Sequence, residues 1–238
     1  MKKTLIALMA LAGIATATDA DTTPITLSAG FTSSTTAQCP ENAFYAVTIN
    51  SLKTGENDLG NKTGGSYYTD ALRPNLNMNT GNAWTLNFTL ENNSNSAITL
   101  SSVVFDSFIF NGSGNQHSAD QETRQAQFTL TDASSNVLGT TDVTFCKPNS
   151  APEGSESNAI WNTDMDAGIT LSSAVELAAG ESIQFNLTVG RGNLTNPGAF
   201  VGLKGVTFTG ETDLIPEPTT ATLSLLALAG LAARRRRK

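Results

Sequence analysis

Segments in which apolar and polar side chains alternate recur throughout the middle of the chain. The two clearest are residues 84–90 and 183–189, where every second side chain, starting from Trp84 and from Ile183, is apolar. Alternation with a period of two predicts β-strands that turn one face to a core and the other to water. Shorter segments of this kind, separated by clusters of turn-forming residues, bring the total to roughly ten strands.

The strand pattern predicts an all-β fold, an antiparallel β-sandwich, because many short strands alternate and no convincing helical period lies between the termini. Residues 84–90 are expected to pair with residues 98–110 through the turn-rich cluster at 92–96. Three apolar residues within 98–110 break the alternation: Val103, Phe105 and Ile109. This break predicts a strand that is either buried on both faces or bulged.

The N-terminal residues 1–20 have the order of a secretory signal peptide. Two lysines follow Met1, residues 5–14 form an apolar helical segment, and residues 15–17 (Ala-Thr-Ala) form a small-residue cleavage site. Residues 18–20 offer a second cleavage position. The segment predicts export through the secretion translocon and removal by a signal peptidase. The predicted sandwich domain, residues 21–213, follows it.

The C-terminal residues 214–238 carry three signals in a fixed order: a turn-forming motif, an apolar helix at 219–233 and a basic cluster at 234–238. As a helix, the Ala- and Leu-rich run at 221–233 is about 20 Å long, short of the roughly 30 Å of a hydrocarbon core. The basic cluster predicts that the C-terminus of this short anchor is cytoplasmic. The motif is Pro216, Glu217 and Pro218, and the cluster is Arg234, Arg235, Arg236, Arg237 and Lys238.

This tripartite tail resembles the PEP-CTERM sorting signal of envelope-bearing bacteria. The resemblance implies recognition by an exosortase, a membrane-embedded cysteine protease that cuts near residues 216–218 and releases or transfers the body to the cell surface or exterior. It also links the protein with extracellular polysaccharide. The body, with residues 177–182 before a strand and a final unit at 200–208, resembles the jelly-roll domains that such tails often follow.

The charge of the chain limits its partners. The formal net charge is −7. Seven of the 14 basic residues and only two of the 21 acidic residues lie in the two terminal segments, so the body is near −12. Such an acidic body argues against binding to nucleic acid or to anionic lipid.

The two cysteines, Cys39 and Cys146, lie in a chain predicted to enter an oxidising compartment. One interpretation is a disulfide, which would close a loop of about 100 residues and stabilise the fold by up to ~4.7 kcal/mol in the chain-entropy model. The alternative is two independent thiols, since the spacing fits no zinc or redox motif.

Two stretches, residues 50–83 and 147–168, lack the strand pattern and are predicted to be long loops, which often carry function. They contain Tyr67, Tyr68 and Trp161. Aromatic rings on loops are candidate platforms for sugars, and the alternative is that these rings cap the ends of the core.

Candidates for chemistry are few. The one histidine, His117, lies in a glycine-rich loop without a nucleophile motif, so no catalytic residue is predicted. Residues 162–168 place side-chain oxygens of Asn162, Asp164 and Asp166 at alternate positions, which makes them a weak calcium candidate against the alternative of an acidic turn. No other cofactor is expected.

Taken together, the sequence predicts an exported, non-catalytic protein of the envelope or extracellular matrix. The alternative is a carbohydrate-binding module, and a glycan-acting enzyme is a distant third.

Overall fold

A computed structural model describes residues 22–33, 37–38, 44–78, 81–117, 124–145, 147–149, 160–194 and 200–213. These residues form thirteen β-strands and no α-helix, and none of them belongs to a helix that could cross a membrane. The strands are β1 (Thr22–Phe31), β2 (Ala37–Gln38), β3 (Tyr45–Thr54), β4 (Asn57–Asp58), β5 (Trp84–Asn92), β6 (Ile98–Phe110), β7 (Arg124–Asp132), β8 (Val137–Phe145), β9 (Lys147–Asn149), β10 (Ile160–Asn162), β11 (Asp164–Leu177), β12 (Ser182–Gly190) and β13 (Phe200–Asp213).

The strands form two antiparallel sheets that pack face to face, which confirms the predicted all-β sandwich. The five-stranded sheet has the order β11-β6-β13-β1-β2, and the six-stranded sheet has the order β4-β3-β5-β12-β7-β8. Strands β9 and β10 pair only with each other within the described residues. Nine strands have nine residues or more, close to the roughly ten that alternation predicts, and the other four have two or three residues.

The core lies between the sheets because the apolar residues of each alternating strand point inward. Four fully buried rings meet at its centre: Phe88 of β5 lies 5.5 Å from Phe185 of β12 and 6.1 Å from Phe105 of β6. Phe208 of β13 lies 5.9 Å from Phe185. Burying one such side chain stabilises the fold by about 1.5–3 kcal/mol. Trp84, expected in the core from its parity, is also fully buried.

The expected pairing of residues 84–90 with 98–110 is wrong. Strand β5 pairs with β3 and β12, while β6 pairs with β11 and β13 in the opposite sheet. The turn between them crosses from sheet to sheet, because the buried Asn92 ties it to the β11–β12 turn. The Asn92 amide donates to the carbonyls of Ser96 at 2.8 Å and Leu177 at 3.0 Å, and its oxygen accepts from Ser94 Oγ at 2.6 Å.

Strand β6 has both properties that its broken alternation predicts. Ser102 and Leu100 pair with consecutive residues of β13, so Ser101 is an extra residue and forms a bulge. Beyond this bulge, Phe108 and Phe110 are buried on the outer face of the sheet, apart from the main core.

The two predicted long loops are partly strands. Strand β3 continues to Thr54 and β4 follows it, while residues 59–78 form no named strand. Within residues 147–168, strands β9 and β10 pair and β11 begins at Asp164, so a loop across that whole stretch is wrong where the structure describes it. The signal peptide, Cys39, Cys146 and the tail from residue 214 onward lie outside the described residues.

Candidate functional site

Within residues 59–78, Tyr67, Tyr68 and Ala71 cover part of the outer face of the five-stranded sheet, while Leu72 and Met78 pack in the main core. Leu72 forms two backbone hydrogen bonds with Leu203 of β13, at 2.9 and 3.0 Å, and thereby anchors the segment to the sheet. The rings of Tyr67 and Tyr68 pack edge-on against Phe108 of β6, with centroids 5.8 and 4.7 Å away. These contacts explain why β6 carries apolar residues on a face that would otherwise meet water.

The hydroxyls of both tyrosines converge on one carboxylate. Tyr67 donates to Asp164 Oδ1 at 2.8 Å and lies 2.7 Å from Thr163 Oγ1, while Tyr68 donates to Asp164 Oδ2. Burial, reinforced by the charge of Asp164, raises the pKa of Tyr67. The hydrogen bond to Asp164 raises the pKa of Tyr68. Both phenols therefore stay protonated and act as fixed donors at neutral pH.

Lys204 completes this cluster from β13. Leu203 pairs with Ser107 and Gly205 with Asp106, so Lys204 is the extra residue of a bulge. Its amine lies 3.0 Å from Asp106 Oδ1, 3.5 Å from Asp164 Oδ2 and 4.7 Å from the centroid of the Tyr68 ring. Burial lowers the pKa of Lys204, but the hydrogen bond and charge of Asp106, with Asp164, outweigh it and give a net rise. We call Tyr67, Tyr68, Asp164 and Lys204 the tyrosine clamp.

The buried Arg73 bonds to the backbone that carries the clamp. Arg73 donates through one guanidinium nitrogen to the carbonyls of Gly64 at 3.1 Å and of Tyr67 and Gly114 at 3.3 Å. The two glycine turns approach so closely that a Cβ on Gly65 would lie 2.1 Å from the backbone of Gly114. These positions therefore require glycine for close approach as well as for their positive φ angles.

A shallow pocket of about 320 Å³ opens beside the clamp. Its polar lining comes from Ser66, Tyr68, Thr69, Asp70 and Lys204, and Phe31 and Ala71 supply apolar surface. Hydroxyl, carboxylate and amine groups around one partly exposed ring can bind a small polar ligand through hydrogen bonds.

Of the three residues predicted to contact sugars, the structure places two, Tyr67 and Tyr68, side by side. Tyr67 and Tyr68 are adjacent, with ring centroids 4.3 Å apart, and both are half-buried. Their hydroxyls bond to Asp164, and one face of Tyr68 meets Lys204, which leaves little ring surface for stacking. Trp161 lies on β10, but its side chain is outside the described part of the structure. The role of these three residues in binding sugars stays a prediction.

The candidate calcium ligands lie on two strands and not in an acidic turn, since Asn162 ends β10 and the two aspartates belong to β11. Asp166 is exposed in β11, whereas Asp164 bonds to the other residues of the clamp. The side chain of Asn162 is outside the described residues. Among the residues described, no group of three acidic, histidine or cysteine side chains could hold a metal ion.

Sequence reasoning missed Lys204 and the role of Asp164. The bulge that presents Lys204 lies between Gly202 and Gly205, where a Cβ would come within 2.4 Å of the Phe108 ring and 2.7 Å of the Ala29 carbonyl. Two glycines around a lysine inside a strand pattern are therefore a readable signal of a bulge. The contact of Tyr67 and Tyr68 with Asp164 spans nearly 100 residues and has no local signal.

No protein-family model and no curated protein matches the chain. Among solved structures, it is similar to an Arthrobacter globiformis isomalto-dextranase in complex with panose, at 15% identity and a TM-score of 0.36 over 72% of this chain and 24% of that one. It is similar to the CBM51-2 and INT domains of Clostridium perfringens ZmpB at 10% identity and a TM-score of 0.30, over 69% of this chain and 30% of that one. It is also similar to TmCBM61 in complex with β-1,4-galactotriose at 9% identity and a TM-score of 0.20, over 73% of this chain and 94% of that one. The chain spans about a quarter of the first of these, and similarities this distant carry no conclusion about function.

Proposed function

We propose that the chain is an exported, non-catalytic protein of the cell envelope or extracellular matrix, sorted by its PEP-CTERM-like tail. The observation that carries this proposal is the order of Pro216-Glu217-Pro218, the apolar helix at 219–233 and the basic cluster at 234–238. The last described strand ends at Asp213, so only two residues separate a folded body from the motif. A protease that cuts near the motif would release the sandwich intact.

The precursor would be held by its tail in the inner membrane, with the C-terminus in the cytoplasm, until an exosortase-type protease cuts it. An apolar run that is short for a permanent anchor suits this transient role. The sandwich then reaches the cell surface or the exterior.

Replacing Pro216, Glu217 and Pro218 together by alanine tests the sorting proposal. The expected result is an unprocessed precursor in the inner membrane, measured by fractionation and immunoblotting in a host with an exosortase. The matched control replaces Thr219 and Thr220 by alanine, which leaves the motif and the apolar character unchanged and should be processed normally. Normal processing of the motif variant would contradict the proposal.

We also propose that the sandwich is a jelly roll. The orders β1-β13-β6-β11 in one sheet and β5-β12-β7-β8 in the other support it, since eight strands in this arrangement form two Greek keys. Strand β3 would be an addition at the edge of the second sheet.

The second candidate function is a carbohydrate-binding module that uses the pocket beside the tyrosine clamp. The partly exposed Tyr68, next to Asp70 and Lys204 in that pocket, favours it. Tyr68→Ala should then weaken binding on a glycan array, and Tyr68→Phe, which keeps the ring, should weaken it less. Equal binding by wild type and Tyr68→Ala would remove this candidate.

A further inference from the structure

The centre of the outer face of the six-stranded sheet carries uncharged polar side chains, and the charged Lys53, Glu91 and Asp142 lie around it. Outward residues of the two strands at its centre are amides and hydroxyls: Gln184, Asn186 and Thr188 on β12, and Gln127, Thr129 and Thr131 on β7. An outward sheet face in an acidic protein normally carries charged residues, which keep it soluble. The lack of charge is therefore a property of these two central strands, and the outward charges lie on the strands beside them.

Threonines form one straight row across four neighbouring strands. Thr85 of β5 faces Thr188 of β12, Thr188 faces Thr129 of β7, and Thr129 faces Thr140 of β8. The hydroxyls of Thr85 and Thr188 lie 3.1 Å apart, and those of Thr129 and Thr140 lie 3.3 Å apart. Because neighbouring strands are about 4.8 Å apart, the row spans about 14 Å.

Asparagines form a second row beside the first. The Asn50 amide donates to Asn87 Oδ1 at 2.7 Å, Asn87 donates to Asn186 Oδ1 at 2.5 Å, and Asn186 donates to the Asp132 carbonyl at 3.2 Å. Asparagine is depleted in strands, so three of them in one ladder are not explained by strand propensity. The ladder holds each amide in one orientation and, among the described residues, uses one of the two amide protons of Asn87 and of Asn186.

We infer that this threonine–asparagine face, comprising Asn50, Thr85, Asn87, Thr129, Thr140, Asn186 and Thr188, binds a neutral polysaccharide. Sugar hydroxyls both donate and accept hydrogen bonds, and the face presents fixed amides and hydroxyls that do the same. The inference rests on the proposed role in the envelope or matrix, and it does not depend on the tyrosine clamp.

Other partners fit the face less well. A protein partner needs buried apolar or aromatic anchors, and the residues of this face supply none. An anionic polymer would be repelled by a body near −12. A neutral polymer avoids both costs and, because its sugars repeat, can match a flat row of groups at many points.

The test is electrophoresis of the full chain through native gels that contain hydroxyethylcellulose or dextran. Wild type should be retarded by at least one of these neutral polymers and not by alginate, an acidic one. Thr188→Lys, which puts a charge at the centre of the threonine row, should weaken retardation about tenfold. Thr188→Val keeps the shape and adds no charge, and it should also weaken retardation, though less than Thr188→Lys, because it removes one hydroxyl from the row.

The matched control is Thr99→Lys. Thr99 is exposed on β6 of the other sheet, where it faces Glu176 and Glu211, so this variant makes the same change in net charge away from the face. It should be retarded like wild type.

Lack of retardation of wild type by both neutral polymers would overturn the inference, as would equal loss in Thr188→Lys and Thr99→Lys. Retardation by alginate that Thr188→Lys leaves unchanged would also overturn it. So would a dimer, seen by light scattering, that Thr188→Lys disrupts, because the face would then bind a second copy. The sorting proposal is tested separately by processing of the motif variant, so either can fail without the other.

Discussion

The two outer faces of the sandwich are built in opposite ways. On the five-stranded sheet, Tyr67 and Tyr68 cover buried rings, and Asp164 and Lys204 join distant segments through charged hydrogen bonds. On the six-stranded sheet, threonine and asparagine rows bond to their neighbours within the sheet. On the first face, the polar groups of the clamp bond to one another and stabilise the fold. On the second face, some amide protons and hydroxyls have no partner among the described residues and can bond to a ligand.

Both faces depend on the shared core, where the largest effect is expected. Phe88→Ala should lower the free energy of unfolding by about 3–5 kcal/mol, because it removes a fully buried ring that touches three others. Urea unfolding followed by tryptophan fluorescence measures this. Phe44→Ala is the matched control: Phe44 is 64% exposed, so its loss should cost about 0.5 kcal/mol or less.

The clamp should account for the next largest effect. Asp164→Ala should cost about 1.5–3 kcal/mol, because the phenols of Tyr67 and Tyr68 and the amine of Lys204 all lose a charged partner. The matched control is Asp142→Ala on the opposite sheet, where the exposed carboxylate only accepts a hydrogen bond from Gln127. That variant should change stability by about 0.5 kcal/mol or less. Equal losses in the two variants would mean that the faces do not differ.

The clamp should also make the fold sensitive to alkaline pH. The folded state raises the pKa of Tyr67 and Tyr68 and favours the neutral phenols, and it raises the pKa of Lys204 and favours its charged form. In each case the stabilisation is complete below the unfolded-state pKa, near 10, and is lost as pH rises above it. The urea concentration at the unfolding midpoint should therefore be lower at about pH 11 than at about pH 8.

The double variant Tyr67→Phe, Tyr68→Phe provides the control for this pH dependence. It removes both phenols, so the fall in midpoint should be smaller than in wild type. A fall of the same size would assign the alkaline loss to other groups.

The threonine–asparagine face should contribute least to stability. Thr188→Val should change the free energy of unfolding by about 1 kcal/mol or less, because the lost contact with Thr85 is partly offset by the strand preference of valine. The urea midpoint measures this effect. A loss as large as that of Asp164→Ala would mean that the face, like the clamp, serves mainly to hold the fold.

Much of the architecture could be predicted because strand formation is a local signal. The alternation in residues 84–90 and 183–189 predicted β5 and β12. The broken alternation of 98–110 predicted that β6 is either bulged or buried on both faces, and the strand has both properties. Which strands pair is not local. The turn after β5 looked like a hairpin, but Asn92 bonds to Leu177, 85 residues away, and this contact directs the chain to the other sheet.

The candidate site was less predictable for the same reason. Tyr67 and Tyr68 were identified from their residue type and their place in an irregular segment, but their partner Asp164 lies 96 or 97 residues further along the chain. Period-two patterns showed that Thr85 and Thr188 point outward. They could not show that these two residues, with Thr129 and Thr140, lie side by side, since this requires the sheet order and the register.

The contrast between the faces is tested most directly by retardation of Asp164→Ala in neutral-polysaccharide gels, at a temperature where the variant is folded. If the threonine–asparagine face is the contact surface, Asp164→Ala should be retarded like wild type while Thr188→Lys is not. Loss of retardation in Asp164→Ala, with retention in Thr188→Lys, would contradict the account and move the binding surface to the tyrosine clamp.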